Sequence, residues 1–281
     1  MTRRIFSVLV GLLAVMVLDT AQADDLFPDK KLEAVVRQYV FAKRDNAEPL
    51  TEEDVRNIST IEGKNKGIRD LRGLEKCQSL ALLDLEGNDI ADLDPIAGLV
   101  NIQSLTLSKN RIGDLTPLEK LVNVQLLDLS HNRVSDLEPL SGMTNLRTLY
   151  LSHNRVRDLT SLKSSPKLWS LYVDHNRLDN IDTLAELKWL SSLDLRFNNV
   201  ANLQPLGGLT ELKYVFLDNN KVEDLNVLVE MARRDAEGAQ RFAPFWHIYV
   251  ANNPLTEAAK AEQVKALQDI GGRVSLEPTP E

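Results

Sequence analysis

The sequence predicts an α/β solenoid in which one curved parallel sheet lines a concave face, short helical, 3-10 or extended segments form the convex face, and helical caps cover the ends. Three observations predict it. Asn88, Asn110, Asn132, Asn154, Asn176, Asn198 and Asn220 recur at a constant spacing of 22 residues. The position five residues before each asparagine is always apolar (Leu83, Leu105, Leu127, Leu149, Leu171, Leu193, Val215), as is the position three before (Leu85, Leu107, Leu129, Leu151, Val173, Leu195, Leu217). A second apolar pair follows each asparagine, from Ile90 and Leu93 in the first unit to Val222 and Leu225 in the last. A fixed period of this length means stacked supersecondary units, each burying its apolar side against its neighbours. The asparagine belongs at the tight turn leaving each strand, where its amide can hydrogen-bond the backbone of adjacent coils.

Residues 1–23 read as an export signal. Arg3 and Arg4 precede an apolar run from Ile5 to Leu18, and Ala21-Gln22-Ala23 supplies a small-x-small cleavage site. The run is short against the ~20 residues a spanning helix needs, so no membrane span is expected after cleavage. Residues 24–57 form a helical N-terminal cap. Leu32, Val35, Val36, Tyr39 and Val40 lie at helical spacing between Phe27 and Phe41, and Thr51-Glu52-Glu53-Asp54 has capping-box character ahead of Val55. The solenoid occupies 58–255, beginning with a degenerate unit that carries Lys66 where the asparagine would stand. Asn253 follows Asn220 by 33 residues, so eleven residues are inserted at about 226–246. This segment reads as a longer convex helix and a loop. Arg233, Arg234 and Arg241 there stand near Phe242, Phe245 and Trp246, a candidate contact surface for a purely structural envelope protein. Residues 256–281 form a C-terminal cap, with Thr256 starting a helix that Gly271-Gly272 stops, and Val274 and Leu276 closing the last edge.

Charge and cysteine usage narrow the function classes. The net charge is −8, and removal of Arg3, Arg4 and Asp19 with the leader takes it to −9, without a basic tail or stripe. Nucleic acid and anionic membrane surfaces are therefore excluded as expected partners. Cys77 is the single cysteine and falls at a spine position held elsewhere by Leu99, Leu121 and Met143, which predicts an inert buried thiol and no disulfide. No glycine-rich phosphate loop, H-E-x-x-H or paired-cysteine motif occurs, and no nucleophile turn accompanies Ser130-His131 or Ser152-His153. The expectation is a non-enzymatic, monomeric protein without cofactor or resident metal, exported to the periplasm or beyond.

Strand alternation assigns the concave face to residues two, four and six before each asparagine. The central column then runs Asp84, Thr106, Asp128, Tyr150, Tyr172, Asp194, Phe216 and Tyr249. Flanking columns add Asp174, Arg196 and Asp218 on one side and Tyr214 and His247 on the other. Aromatic residues edged by carboxylates suit a protein ligand, a basic one in particular; the same rings could stack on cell-wall polysaccharide. His131, His153 and His175 form a ladder one residue before the asparagines, followed by Phe197. Neighbouring imidazoles about 4.8 Å apart could share a metal ion, or repel one another once protonated below about pH 6.5.

The frame L-x-x-L-x-L-x-x-N-x-L is the leucine-rich-repeat signature. With Asp92-Leu93-Asp94-Pro95-Ile96, Asp114-Leu115-Thr116-Pro117-Leu118 and Asp136-Leu137-Glu138-Pro139-Leu140 after the asparagines, residues 58–225 resemble the 22-residue repeats of bacterial internalins. The resemblance implies a curved scaffold whose inner face binds another macromolecule, commonly a protein. No Leu-Pro-x-Thr-Gly sorting signal follows the repeats, so host-cell invasion is not carried over.

Overall fold

A computed structural model describes residues 25–278; the expected leader at 1–23 lies outside them. Ten three-residue strands form one sheet in chain order: β1 (Thr60–Glu62), β2 (Leu82–Asp84), β3 (Ser104–Thr106), β4 (Leu126–Asp128), β5 (Thr148–Tyr150), β6 (Ser170–Tyr172), β7 (Ser192–Asp194), β8 (Tyr214–Phe216), β9 (His247–Tyr249) and β10 (Arg273–Ser275). Every pairing is parallel, and equivalent repeat positions face each other without slip. The middle residue of β1 to β9 is fully buried. A one-residue slip would expose that entire row, which is why the register is fixed.

After β1 to β7 the chain turns back through a short 3-10 helix that the sequence starts in a similar way. Oδ1 of Asp92, Asp114, Asp136 and Asp158 accepts from the backbone N–H two residues on, at 2.8–2.9 Å, as do Asn180 and Asn202 in later coils. These Asx turns bend the chain, and Pro95, Pro117, Pro139 and Pro205 sit at the first helical positions, where a missing N–H costs nothing.

The asparagines form the ladder the spacing implies. Asn154 is typical: Nδ2 donates to the carbonyls of Leu129, Leu151 and Ser152, and Oδ1 accepts from Val134 N–H at 2.9 Å. Each side chain thus satisfies groups of its own coil and of the coil before. A second ladder runs nearer the convex side, where Asn101, Asn123 and Asn145 donate to the carbonyls of Gln78, Val100 and Val122. The residue ahead of each main-ladder asparagine takes a left-handed conformation, with φ of 51–58° at Lys109, His131, His153, His175, Phe197 and Asn219 and 71° at Gly87.

The N-terminal cap contains α1 (Lys30–Arg37) and α2 (Glu52–Val55). The first helix is shorter than the Phe27–Phe41 pattern suggested, because the chain breaks at Val40 and makes one 3-10 turn at Phe41–Lys43. Asp29 caps α1 with one oxygen and accepts from Arg69 and Asp70 N–H with the other, tying the cap to the first coil. Tyr39 Oη accepts from Glu62 N–H and so covers part of the β1 edge. At α2, Thr51 and Asp54 form the capping box, and Lys43 Nζ lies 2.7 Å from Asp54. Hydrogen bonds from Lys43 and Thr51 bring the Asp54 carboxyl down from 3.8 to about 2. Its stabilisation is therefore complete above pH 3.8 and lost as pH falls toward 2. Asp54→Asn should lower stability at pH 7 by about 1–2 kcal/mol, a difference that narrows below pH 3.8 and closes as pH falls through 2, read from urea midpoints across that range.

At the far end, α3 (Asn226–Glu237) packs Val227, Leu228 and Met231 inward as their spacing predicts. The inserted segment beyond it departs from the expected surface. Phe242 and Trp246 are buried in edge-to-face contact at 5.0 Å, leaving Phe245 as its exposed ring. Asp235 holds the segment down, its carboxylate accepting from the N–H groups of Arg241, Phe242 and Ala243. Thr256 caps a helical stretch that passes through a π turn (Ala259–Gln263) into α4 (Val264–Asp269). Strand β10 follows and pairs with β9, with Val274 packed against the core and Leu276 exposed. Cys77 is fully buried, and burial pushes its thiol up to about 12, so the group is inert at neutral pH. No helix among the described residues is long and apolar enough to cross a membrane.

Candidate functional site

The sheet register brings Asp84, Asp128, Tyr150, Tyr172, Asp194, Phe216 and Tyr249 into one continuous column. Parallel strands repeat at about 4.8 Å, the spacing at which like rings stack. Tyr150 lies on Tyr172 with centroids 4.7 Å apart and planes 8° from parallel, and Phe216 lies on Tyr249 at 4.7 Å and 3°. Tyr214 and His247 stack beside the second pair at 5.1 Å. Between the pairs Arg196 grips Asp194 through Nε and Nη2, with its Cζ 5.3 Å from the Phe216 centroid. The centre of the face is therefore a rigid strip of aromatic pair, ion pair and aromatic pair, with each stacked pair tying two adjacent coils together.

The acidic character expected of this face is reduced. Asp174, Asp194 and Asp218 lie on the concave side but are buried, Asp218 to 1% exposure. They serve the fold: Asp218 accepts from Ala251 N–H at 2.7 Å, Asp174 accepts from Ser152 Oγ and contacts His175, and Asp194 is held by Arg196. Burial raises the Asp194 carboxyl above the ordinary range while the Arg196 hydrogen bonds pull the other way. Alternation of the strand shows which way these residues face but not how deeply their neighbours cover them. Asp84 and Asp128 stay partly exposed, Asp84 with Lys64 Nζ 2.9 Å away.

Along the strand-exit rim, His131, His153, His175 and Phe197 form a continuous stack with centroids 4.2, 3.9 and 4.1 Å apart. Ligand atoms of His153, Asp174 and His175 lie within 4.8 Å of one another. The two imidazole planes, however, are 16° from parallel. An imidazole lone pair lies in its ring plane, so two stacked rings aim side by side rather than at one ion; coordination needs a ring to leave the stack. Nor do the groups make a hydrolytic triad. Asp174 stands between Ser152 and His175, so the hydroxyl donates to a carboxylate and not to a basic imidazole.

Outside these columns Trp169 and Trp189 are also strongly exposed, at 55% and 58%, on the strand-entry rim. They follow no frame position, and their only signal in the sequence is an indole where other coils place small or polar residues.

A family model described as leucine-rich repeats in two copies matches residues 78–120, 100–142, 122–164, 144–188 and 188–230, more than half of the chain. The chain is similar in structure to internalin C2 of Listeria monocytogenes, at 27% identity and a TM-score of 0.70, over 82% of this chain and 94% of that one. It is also similar to the functional domain of InlJ from Listeria monocytogenes, which includes a cysteine ladder (22% identity, TM-score 0.65, 87% of this chain and 54% of that one). A leucine-rich-repeat protein of Leptospira interrogans aligns at 22% identity and a TM-score of 0.64, over 72% of this chain and 50% of the other. No curated protein matches the sequence.

Proposed function

The chain belongs to the leucine-rich-repeat family, and from that premise we propose that it is a non-enzymatic binding scaffold, exported as a monomer, that holds a protein ligand in its concave face. The observation that carries this reading is the strip formed by Tyr150–Tyr172, Arg196–Asp194 and Phe216–Tyr249. Tyr, Phe and Arg anchors fixed by their neighbours lose little entropy on binding, which is the chemistry of interface hot spots. The aromatic rings contribute beyond fold stability because the apolar spine already fills the core.

Each stacked pair spends one face of each ring on its partner. That favours a protein over the cell-wall polysaccharide reading of this groove, since a sugar needs an open ring face. A basic patch on the ligand would meet Asp84 and Asp128, which stay partly exposed on the concave face. The purely structural envelope reading loses two of its three aromatic anchors with the burial of Phe242 and Trp246.

Tyr150→Ala combined with Tyr172→Ala tests the reading. The wild-type protein should retain a specific protein from an envelope extract that the double variant loses, with the far-UV circular dichroism unchanged. Capture that survives the double substitution would remove the concave strip from the function.

A further inference from the structure

We propose a second binding site, on the strand-entry rim, for an acidic polysaccharide bearing uronate rings. Trp169 and Trp189 line a surface cleft of about 480 Å³ together with Arg147, Thr148 and Lys167. Among the described residues neither indole stacks on another aromatic ring, in contrast to the paired rings of the concave strip. Both indoles are more than half exposed in the cleft, and the C–H face of a pyranose ring is the partner that an exposed indole accommodates.

Charge selects which saccharide. The chain as a whole is acidic, yet the polar lining of this cleft is cationic. Arg147 has no ionic partner among the described residues, and Lys167 Nζ donates only to the neutral Asn145 Oδ1 at 2.7 Å. A guanidinium and an ammonium beside two exposed indoles fit a carboxylate carried on a sugar ring.

The repeat itself shows that these residues are exchanged away from a structural role. Asn101, Asn123 and Asn145 build the second asparagine ladder at one repeat position, and Lys167 and Trp189 occupy that position in the next two coils. The bond to the preceding coil's backbone carbonyl is given up there: Lys167 reaches the Asn145 side chain instead, and Trp189 is left more than half exposed. Trp169 likewise stands where Gln103 and Gln125 stand in earlier coils. Nothing in the packing calls for either indole, since both are more than half exposed.

Isothermal titration of the full-length protein with an oligogalacturonate tests the proposal, beside a neutral oligoglucan and poly-L-glutamate. Saturable binding to the oligogalacturonate is expected, weakened at least about tenfold by Trp169→Ala, by Trp189→Ala and by Arg147→Gln combined with Lys167→Gln. Trp169→Phe, which keeps a ring face, should retain more affinity than Trp169→Ala, so that any loss is separated from misfolding. The neutral glycan and the polypeptide should both bind at least about tenfold more weakly. Absence of binding to the oligogalacturonate, unchanged binding by both tryptophan variants, or equal binding of poly-L-glutamate would overturn the proposal, the last in favour of an acidic peptide.

Discussion

Replacing Asn154 with aspartate is expected to destabilise the repeat array by about 4 kcal/mol or more at pH 7. The substitution keeps the oxygen that accepts from Val134 N–H. It replaces the Nδ2 group that donates to the carbonyls of Leu129, Leu151 and Ser152, and so turns a carboxylate oxygen toward three carbonyl oxygens in a nearly buried site. Burial and these acceptors favour the protonated carboxyl, which can restore one donor, so the defect should shrink as pH falls toward 5. Asn154→Ala loses those bonds and the one from Val134 N–H as well, but introduces no buried charge, and should be the milder variant at pH 7 with no such pH dependence. Because coils touch only their neighbours, failure at this central coil should also split one urea transition into two. Equal stability of the aspartate and alanine variants at every pH would refute the account of the ladder as an amide donor system.

The second large effect is expected at Asp235. Asp235→Ala leaves the N–H groups of Arg241, Phe242 and Ala243 without their acceptor, two of them at buried residues, and should cost about 3 kcal/mol or more locally. The consequence is confined by topology. The segment 238–246 is an insertion in one coil, so its opening leaves the strands before it paired. Hydrogen exchange should accelerate across 238–246 while the strands β2–β7 stay protected, and Trp246 emission should shift to the red as its packing on Phe242 is lost. Unchanged protection of that segment would mean that the apolar burial of Phe242 and Trp246 holds it without the carboxylate.

The main architecture was legible because it rests on repetition. A period of 22 places Leu149 beside Leu127 and Asn154 beside Asn132 whatever else the chain does, and the observed register follows that arithmetic strand by strand. The columns of the concave face were legible for the same reason. What alternation could not supply is depth: Asp194 and Asp218 face the groove but sit beneath Arg196 and the next coil, at a depth set by the lengths of neighbouring side chains. The fate of Phe242 and Trp246 was hidden because an inserted segment has no repeat frame to say which side faces in. Trp169 and Trp189 escaped notice for the opposite reason, being exposed at positions to which the frame assigns no role. Asn101, Asn123 and Asn145 could have been found by asking for every asparagine at the same period rather than for the most regular set.

The asparagine ladder also bears on how such a chain can change its length over generations. Its bonds reach back 20 residues from the side-chain oxygen and 25 from the side-chain nitrogen, the same in every regular coil. A copying error in the coding sequence that gains or loses one whole coil returns each asparagine to an equivalent carbonyl and each leucine to an equivalent slot. An error of any other size leaves every later rung facing the wrong neighbour. Inheritance can therefore shorten or extend the groove one coil at a time, altering the ligand it spans while the bonds that hold it remain those of its parent.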